Sequence, residues 1–348
     1  MRSLFSHSWS DFRQNNLLVR FKNESGLDYK GLTRELFDLL GKSIISSPLF
    51  RCASENCVHL EINPLSDPSN SSIIDEYRFV GRLIGMSIDH KAVLGIYFVP
   101  SFYKLLLGEK LVFQDLKVED PLLYDSLLWI KENDITDLDL GLTFSVNLED
   151  QRSIDLKNEG SHIQLTQENK REYIQLYSEW RLAERTRLQF AAMRNGITDF
   201  IDINAMRVVG STARRMSYKD LELYIGGLRE INVKEWKAYT HYGVSRQNNS
   251  THISAQTRRM FWDILENMDQ KDLARLLKFA TGSSRVPLGG FAAMKPTFHI
   301  SSVIGWKDNH RPMSHTCFNR LVLPNYTNIR VFKERLMESL LVDDFGNR

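Results

Sequence analysis

The sequence predicts an α+β protein built in two parts, a larger, mainly helical one followed by a smaller α/β one. Three observations carry this reading. Apolar residues recur at helical spacing through most of the chain before Gly226. The pair Gly226 and Gly227 then interrupts the pattern. Beyond it, short helical stretches alternate with brief apolar runs of strand character before a last helix.

Each element has a local cause. Residues 17–21 read as a short strand, and the turn from Gly26 to Gly31 leads into an amphipathic helix with Leu32, Leu36, Phe37, Leu39 and Leu40 on one side. Residues 58–62 alternate like a strand and stop at Asn63 and Pro64, and the polar run 66–72 reads as loop. Tyr77, Val80, Leu83, Ile84 and Ile88 form the stripe of a helix over 73–88. On that helix Gly81 and Gly85 stand four apart, which permits close approach by another element. Asp120 and Pro121 supply an N-cap and a first-turn proline for a helix carrying Leu123, Leu127 and Ile130. Residues 142–146 read as a strand, and Thr166 is placed to cap a long helix through Tyr173, Tyr177 and Trp180. Ser217 and Asp220 have capping-box spacing ahead of Leu221, Leu223, Tyr224 and Ile225.

Gly226 and Gly227 end that helix and make the best hinge candidate, because glycine absorbs large backbone changes at little steric cost. Helices are expected around 233–239, 260–268 and 272–279, strands near 298–303 and 321–323, and a final helix to about Leu341. The polar run 245–256 reads as a surface insertion. The expected division is therefore 1–227 and 228–348. No internal repeats are visible.

Composition narrows the class of function. The chain has 348 residues, 42% hydrophobic and 25% charged, enough to bury a sizeable core. A formal net charge of +2 with dispersed basic residues gives no nucleic-acid footprint, so no nucleic acid is expected as partner. The first residues lack the apolar run and small-residue cleavage site of a secretory signal, and no apolar stretch is long enough to span a bilayer. Three cysteines, Cys52, Cys57 and Cys317, are an odd set that fits free thiols in a reducing intracellular compartment, cytoplasmic or also nuclear. Cys52, Cys57 and His59 lack the spacing and the fourth ligand of a zinc site. Gly226 and Gly227 close a helix while Gly289 and Gly290 sit in a loop, so no phosphate-binding loop follows a strand. No cofactor or metal is expected.

The densest chemistry lies at 311–320, where Cys317 sits on a loop just before a short strand with His310, Arg311, His315 and Arg320 around it. Cationic neighbours favour thiolate over thiol and can bring a cysteine pKa from about 8.5 into the range of roughly 3.5–7.5. The competing reading is a buried, inert cysteine. Thioester exchange suits such a site, since it needs a reachable thiolate and no hydrolytic water. A papain-like hydrolase would place its cysteine at a helix start with a distant histidine. His299 and His241 are candidate bases, yet nothing at Cys317 resembles that arrangement.

Here a family resemblance becomes specific. Residues 314–321, Ser-His-Thr-Cys-Phe-Asn-Arg-Leu, with Leu323 and Pro324, resemble the active-site signature of the HECT family of E3 ubiquitin ligases. Residues 281–287 and the run Gly289, Gly290, Phe291 resemble the block that precedes it. Gly26 to Tyr29, Arg34 and Glu35, residues 79–82 and residues 102–104 resemble N-terminal blocks of the same family, in the branch whose members carry WW modules. The similarity runs from about Leu18 to Phe345.

The resemblance implies a bilobal fold: an N-lobe over 1–227, with a small E2-binding subdomain at about 120–225, and a C-lobe over 228–348 joined by a flexible hinge. It implies ubiquitin, an E2 conjugating enzyme and a protein substrate as partners. Cys317 would accept ubiquitin as a thioester and pass it to a substrate lysine, with His315 and Thr316 shaping the loop and Arg285 holding the loop or the ubiquitin tail. Phe345, fourth from the C-terminus, would position the loaded thioester. Positions matching the E2-docking surface are Leu123, Leu127, Ile130, Leu142, Tyr173 and Tyr177, although helical stripes of this kind are more often core.

Two departures stand out. Relatives carry a tyrosine pair that helps bind a second, non-covalent ubiquitin where this chain has Ser46 and Ser47, so those aromatic faces are missing. The arginine-rich run 198–216 is longer than in relatives. Two other functions stay open at this point: a non-catalytic scaffold for E2 or ubiquitin, and a cysteine hydrolase.

Overall fold

The structure is a computed structural model that describes residues 17, 19, 31–53, 58–148, 152–206, 208–209, 214–243, 250–287 and 289–344. The expected strand at 17–21 and the turn at 26–30 lie largely outside these residues. The chain packs as two compact units. One gathers residues 1–43, 86–96 and 223–348; the other holds 44–85 and 97–222. Residues 31–43 and 86–96 thus fall in the same unit as residues 223–348.

The second unit is largely helical, and its helices start where their caps dictate. Asp120 accepts a hydrogen bond from the Leu123 amide and Pro121 occupies the first turn, opening the helix Pro121–Glu132. The helix Lys170–Leu182 is preceded by Asn169 rather than by Thr166, whose own amide donates to the Asn169 side chain. The two helices share a core with Leu116, Ile135 and Phe144. Ser217 and Asp220 form the expected reciprocal cap, at 2.9 and 3.2 Å. The short hairpins of this unit, Phe50–Cys52 with Leu60–Ile62 and Ser145–Asn147 with Ser153–Asp155, are antiparallel.

A buried charge network ties this unit together. Glu61, on the strand Leu60–Ile62, meets Arg51 at 2.7 Å, Arg181 at 3.3 Å and Arg185 at 2.5 Å. Burial alone would raise the Glu61 carboxyl, but Arg185, Arg181 and Arg51 outweigh it and hold it below its usual range. Desolvation brings Arg185 down to about 10, so it keeps its charge near neutral pH.

In the first unit, the part that follows Gly227 is built on a small mixed sheet. The strand Arg320–Val322 pairs antiparallel with Met313–His315 and parallel with His299–Val303. His299–Val303 in turn takes His241–Tyr242 in parallel and Ser250–Thr251 antiparallel. Ser250–Thr251 joins the sheet and Ile253 is buried in the core, so the run 245–256 is not wholly a surface insertion. Residues 244–249 lie outside the described ones.

Helices Val233–Ala238, Ala255–Glu266, Gln270–Thr281 and Ile329–Asp344 complete this part. The first three are capped by Asn232, Ser254 and Asp269 side chains. The core is aromatic-rich: Trp236 stacks on Phe291 at 4.9 Å between ring centres, and Tyr326 on Phe332 at 4.3 Å.

Gly227 takes a left-handed conformation, φ 75°, immediately after the helix Tyr218–Gly226. Beyond it the chain is anchored at once. The Leu228 amide donates to the Val286 carbonyl at 2.8 Å, and the Ile231 amide to the Gln270 side chain at 2.8 Å. The helix Gly31–Ile45 buries Phe37, Leu40 and Ile44, whereas Leu39, expected on the same side, is exposed.

Candidate active site

Cys317 stands on a tight 3-10 turn, Thr316–Phe318, inserted between the strands Met313–His315 and Arg320–Val322. It is a free, half-buried cysteine, while the next side chain, Phe318, is 53% exposed. A short turn between two hydrogen-bonded strands fixes the backbone that carries the thiol. The helix Gln270–Thr281 packs against this turn from within the fold.

Asn319 makes the turn possible. It adopts a left-handed conformation, φ 48° and ψ 44°, which asparagine tolerates better than most residues. Its amide donates to the Thr316 carbonyl at 3.2 Å, and its carbonyl accepts from the His299 amide at 2.9 Å. The side chain is 1% exposed and fully engaged, donating to the Pro296 carbonyl and accepting from Arg34. Composition gave no hint of this; an asparagine directly after a cysteine-bearing turn is the signal that could have found it.

The expected ring of cations around Cys317 is partly committed elsewhere. Arg311 pairs with Glu338 at 3.1 Å, and Arg320 donates to the Ser301 hydroxyl at 2.9 Å. His310 stacks on Trp306 with ring centres 5.5 Å apart. His315 pairs with Arg320 across the strands. Desolvation and, secondarily, the Arg320 charge press the His315 pKa below its ordinary value, so the ring is neutral near pH 7. His299 is lowered as well, first by desolvation. Thr316 begins the turn, and its carbonyl closes it.

Arg285 sits beside Gly227. It donates to the Arg229 carbonyl at 3.4 Å, and its side chain lies against Gly95 and Gly227. Phe345 lies outside the described residues.

The expected docking residues differ in exposure. Leu127, Ile130 and Tyr173 are 1%, 6% and 2% exposed and belong to the core of their unit. Leu123 and Tyr177 are half-buried against that core, and Leu142 is 38% exposed. Large apolar side chains that do face solvent in this region are Leu122, at 82% exposure, Trp129 and Leu138. Helical periodicity identifies the inward face, and Leu122 and Trp129 stand off that stripe. Residues 135–142 and 164–168, Leu138 and Leu142 among them, line an open cavity of about 480 Å³.

Cys52 is a correction. It is disulfide-bonded, contrary to the expectation of three free thiols. Among the described residues no group of three or more His, Cys, Asp or Glu is arranged to hold a metal ion, and no helix is long and apolar enough to cross a membrane.

The turn thus carries a free, half-buried cysteine, with His315 and His299 partly desolvated in the neighbouring strands. Residues 32–347 match the model of the HECT-domain (ubiquitin-transferase) family, and the chain belongs to that family. It is 37% identical over 333 residues to the E3 ubiquitin-protein ligase pub1 of Schizosaccharomyces pombe, covering 93% of this chain and 41% of that protein. It is 36% identical to pub3 of the same yeast, over 96% of this chain and 42% of that protein. To the E3 ubiquitin-protein ligase RSP5 of Saccharomyces cerevisiae it is 34% identical, over 93% of this chain and 39% of that protein. The chain therefore spans about two fifths of the length of these relatives.

Proposed function

We propose that this chain is the catalytic domain of an E3 ubiquitin ligase, with Cys317 as the acceptor thiol. The observation that carries this reading is the free, half-buried Cys317 on a turn braced between two strands, within a chain of the HECT-domain family. The chemistry balances without a cofactor. The Cys317 thiolate attacks the carbonyl carbon of an E2–ubiquitin thioester, a new C–S bond forms, and the E2 cysteine leaves as thiolate. A neutral substrate lysine amine then attacks the Cys317 thioester. The C–N bond of an isopeptide replaces the C–S bond, the Cys317 thiolate departs, and the amine's proton passes to solvent base.

In this reading residues 1–227 form the N-lobe, with the E2 site within about 120–225, and 228–348 form the C-lobe, which swings about Gly227. Exposed Leu122, Trp129, Leu138 and Leu142 support an apolar site for a loop of the E2. His315 and Thr316 shape the acceptor turn, Arg285 braces the hinge, and Phe345 positions the loaded thioester. Partners are ubiquitin, an E2 and a protein substrate.

The test incubates the chain with E1, a panel of E2 enzymes, ubiquitin and ATP, and resolves it on gels with and without thiol. A thiol-sensitive ubiquitin adduct that Cys317→Ala abolishes is the expected result. E2 binding with no adduct would overturn the reading in favour of a scaffold; cleavage of ubiquitin amides with no E2-dependent adduct would mark a hydrolase.

A further inference from the structure

Arg34 projects from the helix Gly31–Ile45 onto three carbonyl oxygens that belong to three separate segments. Its Nη1 donates to the backbone carbonyl of Thr281 at 3.0 Å and to Oδ1 of Asn319, and its Nη2 to the backbone carbonyl of Lys295 at 3.2 Å. Thr281 ends the helix packed against the cysteine turn, so its carbonyl is one that a helix terminus leaves without an internal partner. Lys295 precedes Pro296, whose carbonyl accepts from the other end of the Asn319 amide. One helical turn beyond Arg34, buried Asp38 accepts from the Ser284 hydroxyl at 2.6 Å and faces Lys278 at 3.8 Å. Arg34 and Asp38 thus clamp both sides of the segment that supports Asn319. Asn319 in turn closes the Cys317 turn through its amide.

We infer that Arg34 is a positioning residue: through Asn319 it fixes the geometry of the Cys317 turn while the helix Gly31–Ile45 lies against residues 281–319. This rests on the proposed ligase reading. The planar guanidinium is suited to the task, since it offers several donors in a fixed fork that can bridge separate acceptors. Without it the Asn319 oxygen, shut away from water, loses its donor and the turn relaxes. Because Arg34 lies before the glycine hinge and Asn319 after it, a swing of residues 228–348 would break the contact. The turn is then braced in one arrangement and released in another.

The two half-reactions should feel this unequally. In loading, the E2 presents an activated thioester and the acceptor need only offer a thiolate. In transfer no E2 organises the acyl group, so this chain alone must hold the thioester carbonyl for amine attack.

The test measures single-turnover loading from an E2–ubiquitin thioester and, separately, discharge of the loaded chain to free lysine. It uses the wild-type chain, Arg34→Ala, Asn319→Gly and the double variant. Glycine at 319 keeps the left-handed backbone while removing the amide. Discharge should fall at least tenfold in each single variant while loading stays within twofold. The double variant should be no worse than either single one. Arg34→Gln, which retains donors and helix propensity, replaces Arg34→Ala if thermal melting shows that the alanine variant unfolds. Equal loss in both steps, no loss in either, or additive losses would overturn the inference and leave Cys317 as acceptor untouched. A wild-type chain that forms no adduct would overturn the ligase reading and this inference with it.

Discussion

Gly81 lies directly against the backbone of Met193, so that a Cβ built on it would stand 2.0 Å from the Met193 carbonyl oxygen. Gly196 on the same partner helix, Arg187–Thr198, meets the Arg78 carbonyl just as closely. Helix crosses helix here with no side chain between them.

Substituting Gly81 by alanine tests that crossing. On an exposed helix the change would be stabilising by about 1 kcal/mol. Here the obstacle is backbone on the partner helix, so the two helices must separate at a net cost of about 1–3 kcal/mol. Urea denaturation should show the midpoint falling with little change in slope. A variant as stable as wild type would mean the helices part freely.

How much of this was legible in the sequence depends on the periodicity each feature carries. The spacing of Gly81 and Gly85 announced a close approach, and Asp120, Ser217 and the glycine pair marked element ends, because caps and glycines act locally. Cys317 could be placed on a turn before a strand for the same reason. Inward from outward could not be read at the docking stripe, since Leu127 and Leu122 are equally apolar and only packing distinguishes them. Nor could the Arg34–Asn319 contact, which joins residues 285 apart in the chain. Ser250–Thr251 looked polar and loop-like, yet the backbone pairing of the strand His299–Val303 recruits it regardless of its side chains.

Exposure separates two sets of aliphatic residues experimentally. Leu127→Ala or Ile130→Ala should cost about 2–5 kcal/mol, because each opens a cavity in a packed core. Leu122→Asp and Leu142→Asp should stay within about 0.5 kcal/mol of wild type in denaturation, as surface changes do. On the proposed reading, these same two variants slow loading from the E2 in a single-turnover assay. Unchanged loading in both would remove this surface from the E2 site.

Cys52 is held in a disulfide and offers no thiolate, whereas Cys317 is free. Cys52→Ala should therefore leave the thiol-sensitive ubiquitin adduct at its wild-type level on a non-reducing gel. An adduct lost with Cys52 and kept without Cys317 would put the acceptor on the wrong sulfur.

Glu119 gives stability a pH dependence of known sign. Its side chain is buried, Oε1 accepting from the Ser101 amide at 2.6 Å and Oε2 from the Ser101 hydroxyl at 2.8 Å. Burial raises its pKa from 4.5 to about 7, more than the Ser101 bonds and Arg181 lower it, and the Glu61 charge adds to the rise. A carboxyl raised on folding binds its proton more tightly in the native state. Its stabilising contribution is whole below about pH 4.5 and is lost as pH climbs through about 7, a change of about 3 kcal/mol. Glu119→Gln keeps an acceptor for Ser101 and cannot ionise. Measured by urea denaturation between pH 4.5 and 8, the stability of the variant relative to wild type should rise steadily with pH by up to that amount. The difference between the two proteins isolates Glu119 from every other titrating group they share. A difference that stays flat across this range would mean that water reaches the carboxylate in the folded chain and that its burial exacts no penalty.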